Sequence, residues 1–233
     1  MAAVVVAAGA SRRMGGIDKL WLDVDGKPLL AYTLDALASI TAITRIVVVL
    51  SAHGLERVSA LRDAAPWNRV AAYVPGGAER ADSVYAGLRV LGACDIVLIH
   101  DGARPLVTST LVEDGITAAL VHGAAIPAIP ITDTVKQVNA HGVVVATPDR
   151  AVLRTVQTPQ VFRLDVLHRA HEEAGLERRL CTDDAMLLER LGMTVATFRG
   201  DPLNVKVSTP DDLPLLRCLM ALRRPRSSPL DVK

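Results

Sequence analysis

The chain has 233 residues, half of them hydrophobic and only 3% aromatic. That allows one sizeable core, or at most two small ones, built from Ala, Val, Leu and Ile. A net charge of +1 excludes the strongly basic character of a general nucleic-acid or membrane-surface protein.

The first seven residues form an apolar run too short for a signal peptide and without a basic lead, and no later run reaches transmembrane length. A cytoplasmic protein with no nucleic-acid and no membrane partner is expected. From there, short β-branched runs alternate with longer amphipathic ones. Strands are predicted at 3–8, 45–50, 69–74 and 95–100, and helices at 28–40, 54–65, 79–91 and 110–122. This alternation predicts an α/β fold: βαβ units, a parallel sheet and helices on both faces. Ligands on such sheets sit beyond the carboxyl ends of the strands, where residues 7–19, 75–83 and 100–107 all fall. The pattern changes near residue 131. The stretch 132–150 reads as two short strands around a polar turn at Asn139–Gly142, a hairpin that projects and needs a partner to cover it. Helices resume at 164–174 and 183–191, a strand at 193–198 and a helix at 210–223, with a flexible tail over 224–233. The expected organisation is one domain over 1–223. Cys94, Cys181 and Cys218 match neither a disulfide framework nor a zinc pattern.

The first predicted strand runs into "AAGASRRMGGIDK" (7–19), a glycine-containing loop with cations. Unobstructed backbone N–H groups and Arg or Lys side chains suit such a loop to phosphate. It is not a Walker A loop, since Lys19 precedes Leu20, and it is not a dinucleotide fingerprint, since residue 11 is Ser. A plain strand–loop connection with solvated charges is the other reading.

Further along stand "GGAERADSV" (76–84), "VLIHDGARP" (97–105), "TDTVK" (132–136), "VQTPQVF" (156–162), "TDDA" (182–185) and "NVKV" (204–207). In this order, with the first loop, the chain resembles the 2-C-methyl-D-erythritol 4-phosphate cytidylyltransferases of the non-mevalonate isoprenoid pathway. The resemblance implies a Rossmann-like, mostly parallel sheet of the nucleotide-diphospho-sugar transferase type, with 132–150 as a dimerisation arm. It implies transfer of CMP from CTP to 2-C-methyl-D-erythritol 4-phosphate, with Mg2+ as cofactor, in a homodimer. The front segment "GGIDKLWLDVDGKPLL" departs from the family's pattern and is similar to that of molybdenum-cofactor nucleotidyltransferases. A pterin phosphate, ribitol 5-phosphate or a non-catalytic nucleotide-binding role are the alternative readings.

By the same resemblance, Ala7, Ala8 and Gly9 would give backbone contacts to the triphosphate, and Arg13 and Lys19 would stabilise charge at the reacting phosphate. Gly76, Gly77 and Ser83 would face the cytosine, with Ala78 where relatives often carry a polar residue. Asp101 would lie near the ribose and the metal, and Arg104 near a phosphate; an internal Asp101–Arg104 ion pair is the structural reading of the same residues. Thr134, Arg150, Thr158, Thr182 and Lys206 would surround the acceptor, Arg150 and Lys206 gripping its phosphate. Thr182 also reads as a helix N-cap. Asp183 and Asp184 read either as first-turn acids or as partners of substrate hydroxyls. His100 reads as a packed residue, since no second His or Cys stands at metal spacing.

Overall fold

The structure is a computed structural model that describes residues 1–9, 18–64 and 67–223. The expected tail at 224–233 lies outside the described residues. In chain order the elements are β1 (Ala2–Ala7), β2 (Asp23–Val24), β3 (Lys27–Pro28), α1 (Leu29–Ser39), β4 (Arg45–Leu50), α2 (Ala52–Ala64), β5 (Val70–Pro75) and α3 (Arg80–Leu91). Then come β6 (Ile96–Asp101), α4 (Ser109–His122), β7 (Ala124–Pro130), β8 (Gln137–Val138), β9 (Val144–Ala146), β10 (Arg154–Val156) and β11 (Gln160–Arg163). The described part closes with α5 (Leu164–Ala174), α6 (Asp184–Arg190), β12 (Ala196–Arg199) and α7 (Asp212–Arg223).

Eight strands form the main sheet, with β5, β4, β1 and β6 side by side and parallel. The period of two assigns side chains to opposite faces. Ala3, Val5 and Ala7 of β1 pack into one cluster with Leu30, Leu34 and Leu37 of α1 and Leu111 and Val112 of α4. Ala2 and Val4 pack into the other, with Val84 and Leu88 of α3 and Leu167 of α5. All these residues are buried, and full burial of each Val or Leu contributes about 1.5–3 kcal/mol. Helices therefore cover both faces, as the alternating pattern predicts.

Beyond β6 the sheet is mixed. β11 runs antiparallel to β6, pairing Gln160 with Ile99, and β10 and β11 lie antiparallel along one edge of β7. The parallel strand β12 occupies the other edge of β7. The chain between β10 and β11 is thereby carried past the carboxyl end of β6, which places Thr158 under Asp101. The strand predicted at 193–198 forms as Ala196–Arg199.

Among the described residues the hairpin β8–β9 pairs only with itself. Its turn closes with Asn139 N–H donating to Val143 O at 3.0 Å, and Asn139 Oδ1 accepting from His141 N and Val143 N. Val138, Val143, Val144 and Val145 are each more than half exposed.

Candidate active site

A cleft of about 590 Å³ opens at the carboxyl ends of β1 and β6. One wall is Val6–Gly9 with Lys19, another is Gly77–Arg80 with Ser83 from the start of α3, and Asp101, Lys206 and Ser208 close the third side. Of the residues predicted from sequence, Ala7, Ala8, Gly9, Lys19, Gly77, Ser83, Asp101 and Lys206 share this cleft. Arg13 lies outside the described residues.

The glycine pair is required by packing. A Cβ on Gly76 would stand 2.2 Å from Ala8 Cβ, and one on Gly77 would stand 2.3 Å from Asp82 Cβ. With only hydrogens there, the loop after β5 lies directly against the loop after β1. Gly76 N–H donates to Leu50 O at 2.8 Å, which fixes it to the end of β4. The Ser83 hydroxyl accepts from Gly77 N–H at 3.1 Å and donates to Glu79 O at 3.2 Å. Its proton is thus committed, and one lone pair remains.

Asp101 ends β6 and is buried. Its Oδ2 is 2.6 Å from Lys206 Nζ and 3.8 Å from Arg104 Nε, and its Oδ1 is 3.8 Å from Arg80 Nε. Burial by itself would push this carboxyl up, but Lys206 and Arg80, then Arg104, hold it well below the usual carboxylate range. The Asp101 N–H donates to Thr158 Oγ1 at 3.0 Å. Thr158 is therefore buried behind the carboxylate. Arg104 donates through Nη1 to Asn204 O at 2.8 Å, and Asn204 Nδ2 donates to Thr158 O at 2.8 Å. These bonds lock the segment carrying Lys206 against β6, as does Val207 N–H donating to Ala103 O at 3.0 Å. Lys19 joins the same segment, its Nζ donating to Val207 O at 2.8 Å.

The ion pair between Asp101 and Arg104 is present, though at 3.8 Å it is one of three around that carboxylate among the described residues. His100 is fully buried, with Nε2 3.0 Å from Arg104 O. A carbonyl accepts, so Nε2 carries the proton. Burial pushes the imidazole down to about 4.

Two readings of "TDDA" are corrected. The N-cap of α6 is Asp183, whose Oδ1 accepts from Met186 N–H at 2.9 Å, and not Thr182, whose exposed hydroxyl lies 3.7 Å from Met186 Sδ. A carboxylate outcompetes a hydroxyl for amide protons at the positive helix end. Asp184 is only 1% exposed and bonded to Arg80 at 2.7 Å, so it does not reach toward substrate hydroxyls. Thr134 and Arg150 stand on the exposed arm, away from the cleft, with Arg150 Nη1 donating to Thr132 O at 2.5 Å.

Arg80 is the residue that sequence reasoning missed. It lines the cleft, faces Asp101 and binds Asp184. Burial works against its charge, but Asp184 and Asp101 keep the guanidinium firmly protonated. The signal was present: a cation in the first turn of α3 opposes the helix dipole, which points to acids brought in from elsewhere.

Comparison with known proteins agrees with the resemblance. Residues 1–221 match the family model of 2-C-methyl-D-erythritol 4-phosphate cytidylyltransferase. A cytidylyltransferase of that name from Dehalococcoides mccartyi is 43% identical over 218 residues, covering 94% of this chain and 95% of its own. One from Clostridium perfringens is 40% identical, covering 90% and 94%. The crystal structure of 2-C-methyl-D-erythritol 4-phosphate cytidylyltransferase from Thermus thermophilus superposes with a TM-score of 0.76 at 32% identity, covering 94% of this chain and 98% of that one. That of a 4-diphosphocytidyl-2C-methyl-D-erythritol synthase from Anaerococcus prevotii gives 0.82 at 27%, covering 94% and 95%.

Proposed function

The chain belongs to the 2-C-methyl-D-erythritol 4-phosphate cytidylyltransferase family, and from that premise we propose how its own residues carry the reaction. The enzyme transfers CMP from CTP to 2-C-methyl-D-erythritol 4-phosphate, a step of non-mevalonate isoprenoid synthesis. An oxygen of the acceptor phosphate bonds to the α-phosphorus of CTP, and the bond from that phosphorus to the bridging oxygen breaks. Diphosphate and 4-diphosphocytidyl-2-C-methyl-D-erythritol are released.

The observation that carries the assignment is the meeting of Lys19, Asp101 and Lys206 in one cleft. The nucleophile is a phosphate with a second pKa of about 6, so it is already anionic near neutrality and needs no general base. What the reaction needs is positioning and charge stabilisation. The backbone of Ala7, Ala8 and Gly9 cradles the triphosphate. Arg13 and Lys19 stabilise the charge that develops on the α-phosphoryl oxygens, Lys19 being held in place by Val207 O. Gly76, Gly77 and Ser83 receive the base. Ser83 has only an acceptor left to offer, which favours the amino group of cytosine over the carbonyl of uracil. Lys206 and Arg104 address the acceptor phosphate, with Thr158 fixing the end of β6 behind Asp101.

Asp101 also suits a divalent cation. It is an ionised hard oxygen donor on the cleft wall, and among the described residues no group of three or more His, Cys, Asp or Glu is placed to hold a metal. One carboxylate plus substrate phosphates and water is the environment Mg2+ accepts. When bound there, Mg2+ supplies neutralisation of the triphosphate charge.

Thr134, Arg150 and Thr182 complete the acceptor site in an assembly of two chains. The exposed valines of the hairpin support this, since a two-stranded ribbon is stable only when covered. The domain spans 1–223, and no helix among the described residues is long and apolar enough to cross a membrane; a cytoplasmic enzyme fits both. The test is diphosphate release across CTP, GTP, methylerythritol phosphate and ribitol phosphate. Turnover restricted to CTP with methylerythritol phosphate is expected, and preference for another pair overturns the reading.

A further inference from the structure

Behind the cleft lies a buried set of polar residues that the reaction as described does not use. Asp184 Oδ2 accepts from Arg80 Nη1 at 2.7 Å. Among the described residues Asp184 Oδ1 has no partner in hydrogen-bond geometry within 3.5 Å, and neither ring nitrogen of the fully buried His171 has one. His171 Nε2 stands 3.5 Å from that Oδ1. The imidazole is stacked on Tyr85 at 5.6 Å and 16°. Tyr85 is covered by the Arg178 guanidinium at 4.8 Å, which Asp82 holds at 3.0 Å. The stack holds the imidazole beside Asp184.

The consequence reaches the cleft through Arg80. Its Nη1 is bonded to Asp184, while its Nε stops 3.8 Å from Asp101 Oδ1. That gap is about 1 Å longer than a charge-assisted hydrogen bond. Two opposite charges so close attract strongly, so the distance needs a restraint, and the bond to Asp184 supplies it. While Arg80 is held there, Asp101 Oδ1 keeps its lone pairs for a ligand. Arg80 also remains beside Asp101 as a fixed counter-charge when Lys206, 2.6 Å from Oδ2, turns to a substrate phosphate.

We propose that Asp184, with His171 beside it, is a positioning residue for cytidylyl transfer, acting through Arg80 to keep Asp101 Oδ1 open to a ligand. The proposal rests on the functional reading given above. Asp184 itself touches no substrate.

The test is a double-mutant cycle on the full chain, with crystallography. Asp184→Asn and Arg80→Gln should each lower kcat/KM for CTP by roughly 10- to 100-fold, the range for groups that orient a ligating residue. Because one acts through the other, the double variant should be no worse than the poorer single one. In the Asp184→Asn structure, Arg80 should move within hydrogen-bond distance of Asp101. Losses that multiply in the double variant, or an unmoved Arg80, overturn the proposal. Should Asp184→Asn fail to fold, Arg80→Lys serves: a point charge cannot bind Asp184 and stand off Asp101 together, so turnover should fall likewise, and wild-type turnover refutes the idea. A wild-type enzyme that releases no diphosphate from CTP refutes the functional reading instead, and the position of Arg80 in Asp184→Asn still decides the restraint.

Discussion

Gly76→Ala tests whether the two glycines serve packing of the cleft walls. The added methyl would stand 2.2 Å from Ala8 Cβ and 2.9 Å from Ser83 Oγ, where ordinary contact begins near 3.4 Å. The loops after β1 and β5 must then part by about 1.2 Å, the difference between the first and last of these figures. Ala8 Cβ is fixed to its backbone, so no rotamer change relieves the clash. Overpacking of this kind costs about 1–3 kcal/mol, or roughly 2–12 °C in melting temperature for a chain of this size. The larger effect should be on turnover, because a misplacement of about 1 Å between reacting groups costs on the order of a hundredfold. Thermal melts and a coupled diphosphate-release assay read both. Gly9→Ala is the control, since among the described residues its Cβ meets nothing within 4 Å, and its melting temperature should not move. A Gly76→Ala enzyme that melts and turns over like wild type would refute the reasoning.

Lys19→Ala should lower turnover about a hundredfold, as for other preorganised charge stabilisers, with circular dichroism unchanged; near-normal turnover removes Lys19 from the triphosphate site. Lys206→Ala should raise KM for the acceptor while calorimetry shows CTP affinity close to normal, and equal loss of CTP affinity moves Lys206 to the nucleotide side. His100, pushed down to about 4 by burial, stays neutral in the fold while the unfolded chain takes up a proton below about 6.5. The unfolded state then binds more protons, so stability should fall by up to about 3 kcal/mol as pH drops from 6.5 to 4, and melts of His100→Gln should show a flatter slope there. Finally, Lys19→Ala and Arg150→Ala should rescue each other after subunit exchange. Random mixing makes half the dimers mixed with one intact site of two, so roughly a quarter of normal activity should return; no recovery places Arg150 in its own chain's site.

Legibility from sequence follows how local the determining physics is. Residues 2–7, 46–50 and 96–99 of β1, β4 and β6 are continuous apolar runs, and their burial on both faces makes them readable as central parallel strands. The hairpin was readable from Asn139 and Gly142, whose turn bonds are local. The antiparallel passage through β10 and β11 was not. Gln157, Thr158 and Gln160 are polar yet buried, at 8%, 5% and 1% exposure, and only bonds to distant Asn204, Asp101 and Asp183 explain them. The same limit applied at the site. "HDGARP" and "NVKV" pointed to Asp101 and Lys206, but nothing local tells that Asp184 turns inward to Arg80 across more than a hundred residues.

The arrangement also resolves a tension in the chemistry. Both substrates are anions, and at about 4 Å two like unit charges repel by about 4 kcal/mol at an effective dielectric constant of 20. A cleft of cations alone would overcome that repulsion, but its cations would repel one another and scatter in the empty enzyme. Asp101 and Asp184 prevent this by gathering Arg80, Arg104 and Lys206 within 4 Å of a buried carboxylate. Among the described residues, three cations against two acids leave one positive charge in surplus, before Lys19 on the facing wall is counted. The acids therefore hold the cations at fixed stations without cancelling them. On the proposed reading, charge stabilisation is preorganised in this way, and the reacting phosphates would meet it with little rearrangement.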